Sequence, residues 1–156
     1  MRSVIILLVS SFLAVSCSNP KYIRGTKIPD NTPNREVIEV VEKYRRAMMK
    51  KDVAELIAMA HPEYYQAAVT NEDVPYDYDG LKKKLVSRFK QTKNIRFDLQ
   101  YRKINWKDSS NADVEIFIDS SYMLKIGKEE QWKKKSDYWK IDLKKHKGRW
   151  LIIGGM

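Results

Sequence analysis

The chain has 156 residues, with 30 Lys and Arg against 20 Asp and Glu and a net charge of +10. Aromatic residues make up 11% of it and hydrophobic residues 43%, enough to bury the core of one domain and too much for a disordered chain. One cysteine excludes an intrachain disulfide, and two histidines without a second cysteine exclude a conventional zinc site.

Residues 1–16 read as a secretory signal peptide that is cleaved. Arg2 supplies the positive start, and Val4 to Val15 is an uncharged, mostly apolar run of 12 residues, short of the ~20 that a membrane-spanning helix needs. Leu13-Ala14-Val15-Ser16-Cys17 resembles the lipobox of bacterial lipoproteins. That resemblance implies cleavage before Cys17, a thioether-linked lipid on its sulfur, and a lipid-anchored place in the bacterial cell envelope. Multiple acyl chains meet the requirement for more than one lipid in stable anchoring. Ser18, where enterobacterial inner-membrane lipoproteins carry Asp, points to the periplasmic face of the outer membrane in a diderm host.

Loss of residues 1–16 removes one arginine and leaves a charge of +9. The densest basic points are Lys82, Lys83 and Lys84, then Lys133, Lys134 and Lys135. Such charge attracts polyanions. Export excludes nucleic acid and leaves anionic lipid or an envelope protein as partners, beside the plainer reading of a solvated lysine surface. Residues 17–31 carry Pro20, Gly25 and Pro29 without periodicity and are expected to be a lipidated tether. Residues 32–156 form the single domain.

A first helix is predicted from Thr32 as N-cap with Pro33 at its first position. Val37, Val40, Val41, Tyr44, Ala47 and Met48 follow at helical spacing. Asp52-Val53-Ala54-Glu55 fits a capping box opening a short second helix that stops at His61-Pro62. Residues 72–80 are an acidic, aromatic loop, and Asp79 caps a third helix with Leu81, Leu85, Val86 and Phe89 inward.

From Asn94 the period becomes alternating. Ile95, Phe97, Leu99 and Tyr101 share one parity and Ile104 and Trp106 the other, so a bulge is predicted near Arg102-Lys103. Ala112, Val114, Ile116, Ile118, Tyr122, Leu124 and Ile126 then share one parity over a span of about 50 Å at ~3.3 Å per residue. A strand that long calls for curvature, expected at Asp119-Ser120. After Gly127 comes a strand with Trp132, Tyr138, Trp139, Ile141 and Leu143. Lys147-Gly148 turns into Trp150-Leu151-Ile152-Ile153, apolar on both faces as in a central strand.

The reading is α+β, N-terminal helices packed on a strongly curved antiparallel sheet. Its element order resembles the cone-like fold of the nuclear transport factor 2 superfamily, which includes ketosteroid isomerase-like and polyketide cyclase-like proteins. The likeness rests on Tyr44-Arg45-Arg46-Ala47 with Lys51-Asp52-Val53-Ala54-Glu55-Leu56, on His61-Pro62-Glu63-Tyr64-Tyr65, and on Asp137 to Leu143 with Gly148 to Ile152. A cystatin-like helix-on-sheet arrangement is the alternative.

The resemblance implies a cavity in the open end of the cone, with Tyr44 in the place of the first-helix tyrosine of isomerase-like members. Those members also carry a carboxylate past the second helix, where this chain offers only Glu63. Asp113, Glu115 and Asp119 have the polar parity and should face away from the interior, so no catalytic residue is assigned. His61 reads as a helix-end residue and His146 as exposed. Asp73, Asp77 and Asp79 lack calcium-loop spacing; no metal and no cofactor is assigned. Tyr44, Tyr101, Trp106 and Trp139 are the candidate cavity lining, against the plainer reading that the tryptophans fill the core. The expected function is a non-enzymatic binding or scaffold module for a protein or an apolar small molecule. The alternative is a small cavity enzyme of isomerase or dehydratase type. Oligomeric state is left open, a dimer included.

Overall fold

The computed structural model describes residues 21–156; the signal segment and Cys17 lie outside them. Helix α1 spans Thr32–Lys50. Its cap is Asn31, one residue before the expected Thr32, because the Asn31 side chain accepts the Asn34 N–H at 2.9 Å. Asn34 in turn donates its side-chain amide to the Pro29 carbonyl at 2.8 Å. This bond fixes the entering chain, whose Ile23 N–H meets the Ile28 carbonyl at 2.9 Å and whose Ile28 is buried. The second half of the expected tether thus packs on the domain. Lys51, in the left-handed region at φ 56°, closes α1. Asp52 opens α2 (Val53–Met59) by accepting the Glu55 N–H, as its capping pattern requires.

Two short strands, β1 (Tyr65–Gln66) and β2 (Tyr76–Asp77), pair antiparallel, the second within the stretch expected to be loop. Helix α3 (Tyr78–Gln91) starts from Asp77 rather than Asp79, the Asp77 carboxylate accepting the Gly80 N–H at 3.0 Å. Leu81, Leu85 and Phe89 are buried, but Val86 is exposed.

Four long strands follow: β3 (Thr92–Trp106), β4 (Asn111–Ile126), β5 (Glu129–His146) and β6 (Arg149–Gly154), antiparallel in the order β3-β4-β5-β6. A register shift between Tyr101 and Lys103 is the expected bulge, and another lies between Lys93 and Arg96. β4 and β5 pair from Asn111↔Lys144 to Ile126↔Glu129 without a shift through Asp119-Ser120. The irregularities that bend a sheet lie instead in β3 and between β5 and β6.

β6 is an edge strand, not the central strand its two apolar faces suggested. It is nonetheless covered. Ala60 bridges Ile152 in parallel, and the His61 N–H donates to the Ile152 carbonyl at 2.7 Å. The end of α2 therefore occupies the hydrogen-bonding edge that would otherwise be free.

The core lies between α1 and the inward face of β4 to β6. Val37, Val41, Val114, Ile116, Ile141 and Ile152 are fully buried. No helix among the described residues is long and apolar enough to cross a membrane.

Candidate ligand cavity

The inward parity of β5 runs Leu143, Ile141, Trp139, Asp137, Lys135, opposite Ala112, Val114, Ile116, Ile118 and Ser120 on β4. Leu143 and Ile141 are sealed into the core. From Trp139 onward the same face is only partly covered and lines a cavity of about 220 Å³. Tyr44 and Met48 from α1, Arg88 from α3, Phe97 from β3, Tyr76 from β2 and Met156 complete the lining.

Several wall residues are fixed by contacts of their own. Tyr44 meets Phe97 edge to face at 5.8 Å between ring centroids. The Trp139 indole N–H donates to the Gly155 carbonyl at 2.8 Å, and the Tyr76 hydroxyl to the Met156 carbonyl at 2.9 Å. The Gln66 side-chain oxygen accepts the Gly155 N–H at 2.9 Å, so β1 fixes the segment that braces Trp139. Gly155 sits at φ +92°, and a Cβ there would stand 2.2 Å from the Lys140 carbonyl oxygen; only glycine fits.

The polar groups stand at the rim. Lys135 Nζ lies 3.5 Å from Asp137 Oδ2, and these side chains are 65% and 49% exposed. Arg88 is exposed and pairs with no carboxylate among the described residues. Burial pushes the Tyr44 hydroxyl up to about 12, against a smaller opposing pull from the Arg88 charge. Tyr44 thus stays protonated at neutral pH, and its hydroxyl has no hydrogen-bond partner among the described residues.

Of the four residues expected to line a cavity, Tyr44 and Trp139 meet in one. Tyr101 lies outside it: its hydroxyl donates to Glu42 Oε1 at 2.6 Å, tying β3 to α1. Trp106 is at the other end of β3, 39% exposed. There its indole N–H donates to Asn34 at 2.9 Å and its ring meets Trp150 edge to face. The bulge near Arg102 places these positions on opposite sides of an irregularity, so parity could not carry a wall from Phe97 to Trp106. Trp132 is exposed on the outward parity of β5 and does not join the core either.

Asp113, Glu115 and Asp119 face away from the cavity, as parity required. Asp113 is nevertheless buried, accepting from the Asn105 amide at 2.8 Å. Asp137 is the carboxylate that sequence reasoning missed. The signal was present in the alternation Asp137-Trp139-Ile141-Leu143, obscured by the adjacent Tyr138, which is 68% exposed.

His61 is buried, its Nδ1 accepting the Glu63 N–H at 3.0 Å. It meets His146 edge to face at 5.1 Å, and neither histidine lines the cavity. Glu63 pairs with Lys144 at 2.7 Å rather than starting a helix. No group of three or more His, Cys, Asp and Glu that could hold a metal occurs among the described residues. The six lysines of the two basic runs do not share one face. Lys133 and Lys135 follow the inward parity of β5 and Lys134 the outward one, and Lys82 and Lys83 border a separate hollow with Val86 on α3.

No family model matches the sequence, and no curated protein is recognisably similar to it. Solved structures are similar in fold. A ketosteroid isomerase-like protein from Erwinia carotovora atroseptica superposes with a TM-score of 0.69 at 13% identity, covering 81% of this chain and 95% of that one. A protein described as a scytalone dehydratase from Novosphingobium aromaticivorans gives 0.68 at 14% identity, over 78% of this chain and 80% of that one. One described as a dehydratase of the nuclear transport factor 2-like family from Streptomyces avermitilis gives 0.68 at 11%, over 81% and 95%. The domain has the nuclear transport factor 2-like cone fold.

Proposed function

We propose that this cone is the ligand-binding domain of an envelope lipoprotein anchored through Cys17, and that it holds an apolar small molecule in the cavity without converting it. The observation that carries the reading is the cavity's composition. Tyr44, Phe97, Ile118 and Trp139 wall it, and the one carboxylate in its lining, Asp137, is half-exposed and paired with Lys135. Acid–base chemistry of the isomerase kind needs two titrating groups whose environments push their pKa values apart. Here a single solvated carboxylate faces a tyrosine that burial keeps protonated.

Trp139 reports on the cavity directly. In the mature chain held in neutral phosphatidylcholine nanodiscs, small aromatic ligands should quench tryptophan emission, and Trp139→Phe should abolish the change. Unaltered emission across a panel of ring-sized apolar compounds would remove the cavity from the account. The anchor has its own test. Cys17→Ser should lose acyl labelling and accumulate as uncleaved precursor, whereas processing at the same bond with unchanged membrane retention would refute lipidation.

A second reading has one specific observation in its favour: Asp137 and Tyr44 share the cavity, in a fold whose structural neighbours include proteins described as dehydratases. It requires turnover of a bound ligand that Asp137→Asn abolishes while affinity is kept. Recovery of the ligand unchanged from both proteins supports binding alone.

A further inference from the structure

A cation without a carboxylate partner among the described residues, at the mouth of a cavity walled in part by aromatic side chains, narrows the class of ligand. Arg88 lines the cavity from α3 and pairs with no carboxylate among the described residues. One turn earlier on the same helix, Lys84 lies 4.3 Å above the Tyr76 ring, and it borders the outer hollow that shares Tyr76, Lys135, Asp137 and Trp139 with the cavity. Lys135 stands across the mouth on β5. Asp137 offsets the charge of Lys135, and Asp73, which borders the same hollow, offsets that of Lys84, so the charge left over at the rim is that of Arg88, beside a wall of Tyr44, Phe97, Ile118 and Trp139.

Resting on the binding reading above, we infer that the ligand is a small amphipathic carboxylate. Its apolar body lies between Tyr44, Phe97 and Trp139, and its carboxylate meets the Arg88 guanidinium at the rim. A guanidinium presents a planar donor fork that matches a carboxylate in two parallel hydrogen bonds. A positive mouth with low-dielectric walls raises the local concentration of anions. The Tyr44 hydroxyl, protonated and without a protein partner, supplies a neutral donor deeper in. Size sets the other bound. A cavity of about 150 Å³ takes one benzene, so about 220 Å³ takes a ring with a short side chain.

The experiment compares 3-phenylpropionate with its neutral amide, followed by tryptophan emission on the mature chain in neutral nanodiscs, with Trp139→Phe as blank. The carboxylate should bind at least tenfold more tightly than the amide. Arg88→Ala should weaken the carboxylate by about tenfold and the amide by less than twofold, and Arg88→Lys should recover part of the loss. Raising salt should weaken the carboxylate alone. Lys82→Ala, bordering the separate hollow of α3, should leave both affinities unchanged, which guards against a general charge effect. Equal affinities, with neither sensitive to Arg88, would overturn the inference and leave an apolar binding cavity standing. Failure of both compounds to change Trp139 emission would overturn the inference together with the reading on which it rests.

Discussion

At one end of the sheet, Val114 on β4 faces Ile141 on β5 beneath α1, and both are fully buried. Six residues along the same two strands, positions of the same parity hold Ser120 and Lys135, which line an open cavity. The strands, the pairing and the direction of the side chains are the same at both ends. What differs is the cover, since the first half of α1 lies over the closed end and only Tyr44 and Met48 reach the other. Inward parity therefore means core where α1 packs directly on the strands and cavity wall where the helices contribute only a few lining side chains. Residue chemistry follows that division, turning from Ile and Leu to Trp, Asp and Lys along a single face of β5.

The largest effect should come from the closed end. Ile141→Ala removes packing from a fully buried site and should cost about 3 kcal/mol, or a fall of roughly 10 °C in the thermal midpoint. A loss near zero would mean that this end is no better packed than the other. Next is the brace between them. Gly155→Ala forces a Cβ against the Lys140 carbonyl at a positive φ and should cost about 2 kcal/mol. It should also free the Trp139 indole and shift its emission to the red; an unshifted spectrum would show that Gly155 does not hold the cavity wall. At the open end, Asp137→Asn breaks a half-exposed ion pair and should change stability by less than about 0.5 kcal/mol. A larger loss would make Asp137 structural and blur the division.

The histidine pair gives a smaller, pH-dependent contrast. Burial first, and then the Lys144 charge, hold the His61 pKa below its ordinary value, whereas in the unfolded chain it is about 6.5. Below that pH the unfolded chain binds a proton that the folded one refuses, so the His61 contribution is intact above pH ~6.5 and fades as pH falls. The midpoint should drop between pH 8 and pH 5 more steeply in the native chain than in His61→Gln. Parallel curves would assign the acid sensitivity to other groups.

Vesicle binding tests the charge of the surface as a whole. The lysines of the two runs are divided among faces, so orientation by all six together is not expected. Co-sedimentation with anionic vesicles should be weak at low salt and lost near physiological salt, where charges are screened beyond about 8 Å. Retention at high salt would require more of these six lysines on one face than β5 and α3 place there.

Alternation and helical spacing made most of the architecture readable: three helices, then a meander, with the cap at Asp52 and the bulge near Arg102 visible in the residue order. Those features are local, each depending on neighbours within about four positions. The caps at Asn31 and Asp77 were displaced by one or two residues because several adjacent side chains can accept the same N–H. The site was half legible. Tyr44 and Trp139 were identifiable from spacing and aromatic character, but Tyr101 and Trp106 were assigned to the same wall although β3 changes register between them.

By itself the sequence determined which side of β4 points inward, where helices begin and end to within a turn, and the excess of positive charge. Only the tertiary structure decided that β6 is an edge sealed by Ala60 and His61, and that Asp137 and Arg88 stand at one mouth. The physical reason is range. Periodicity and capping act over a few residues, whereas the cover on a face, and so the difference between a core and a cavity, is set by elements far apart in the chain.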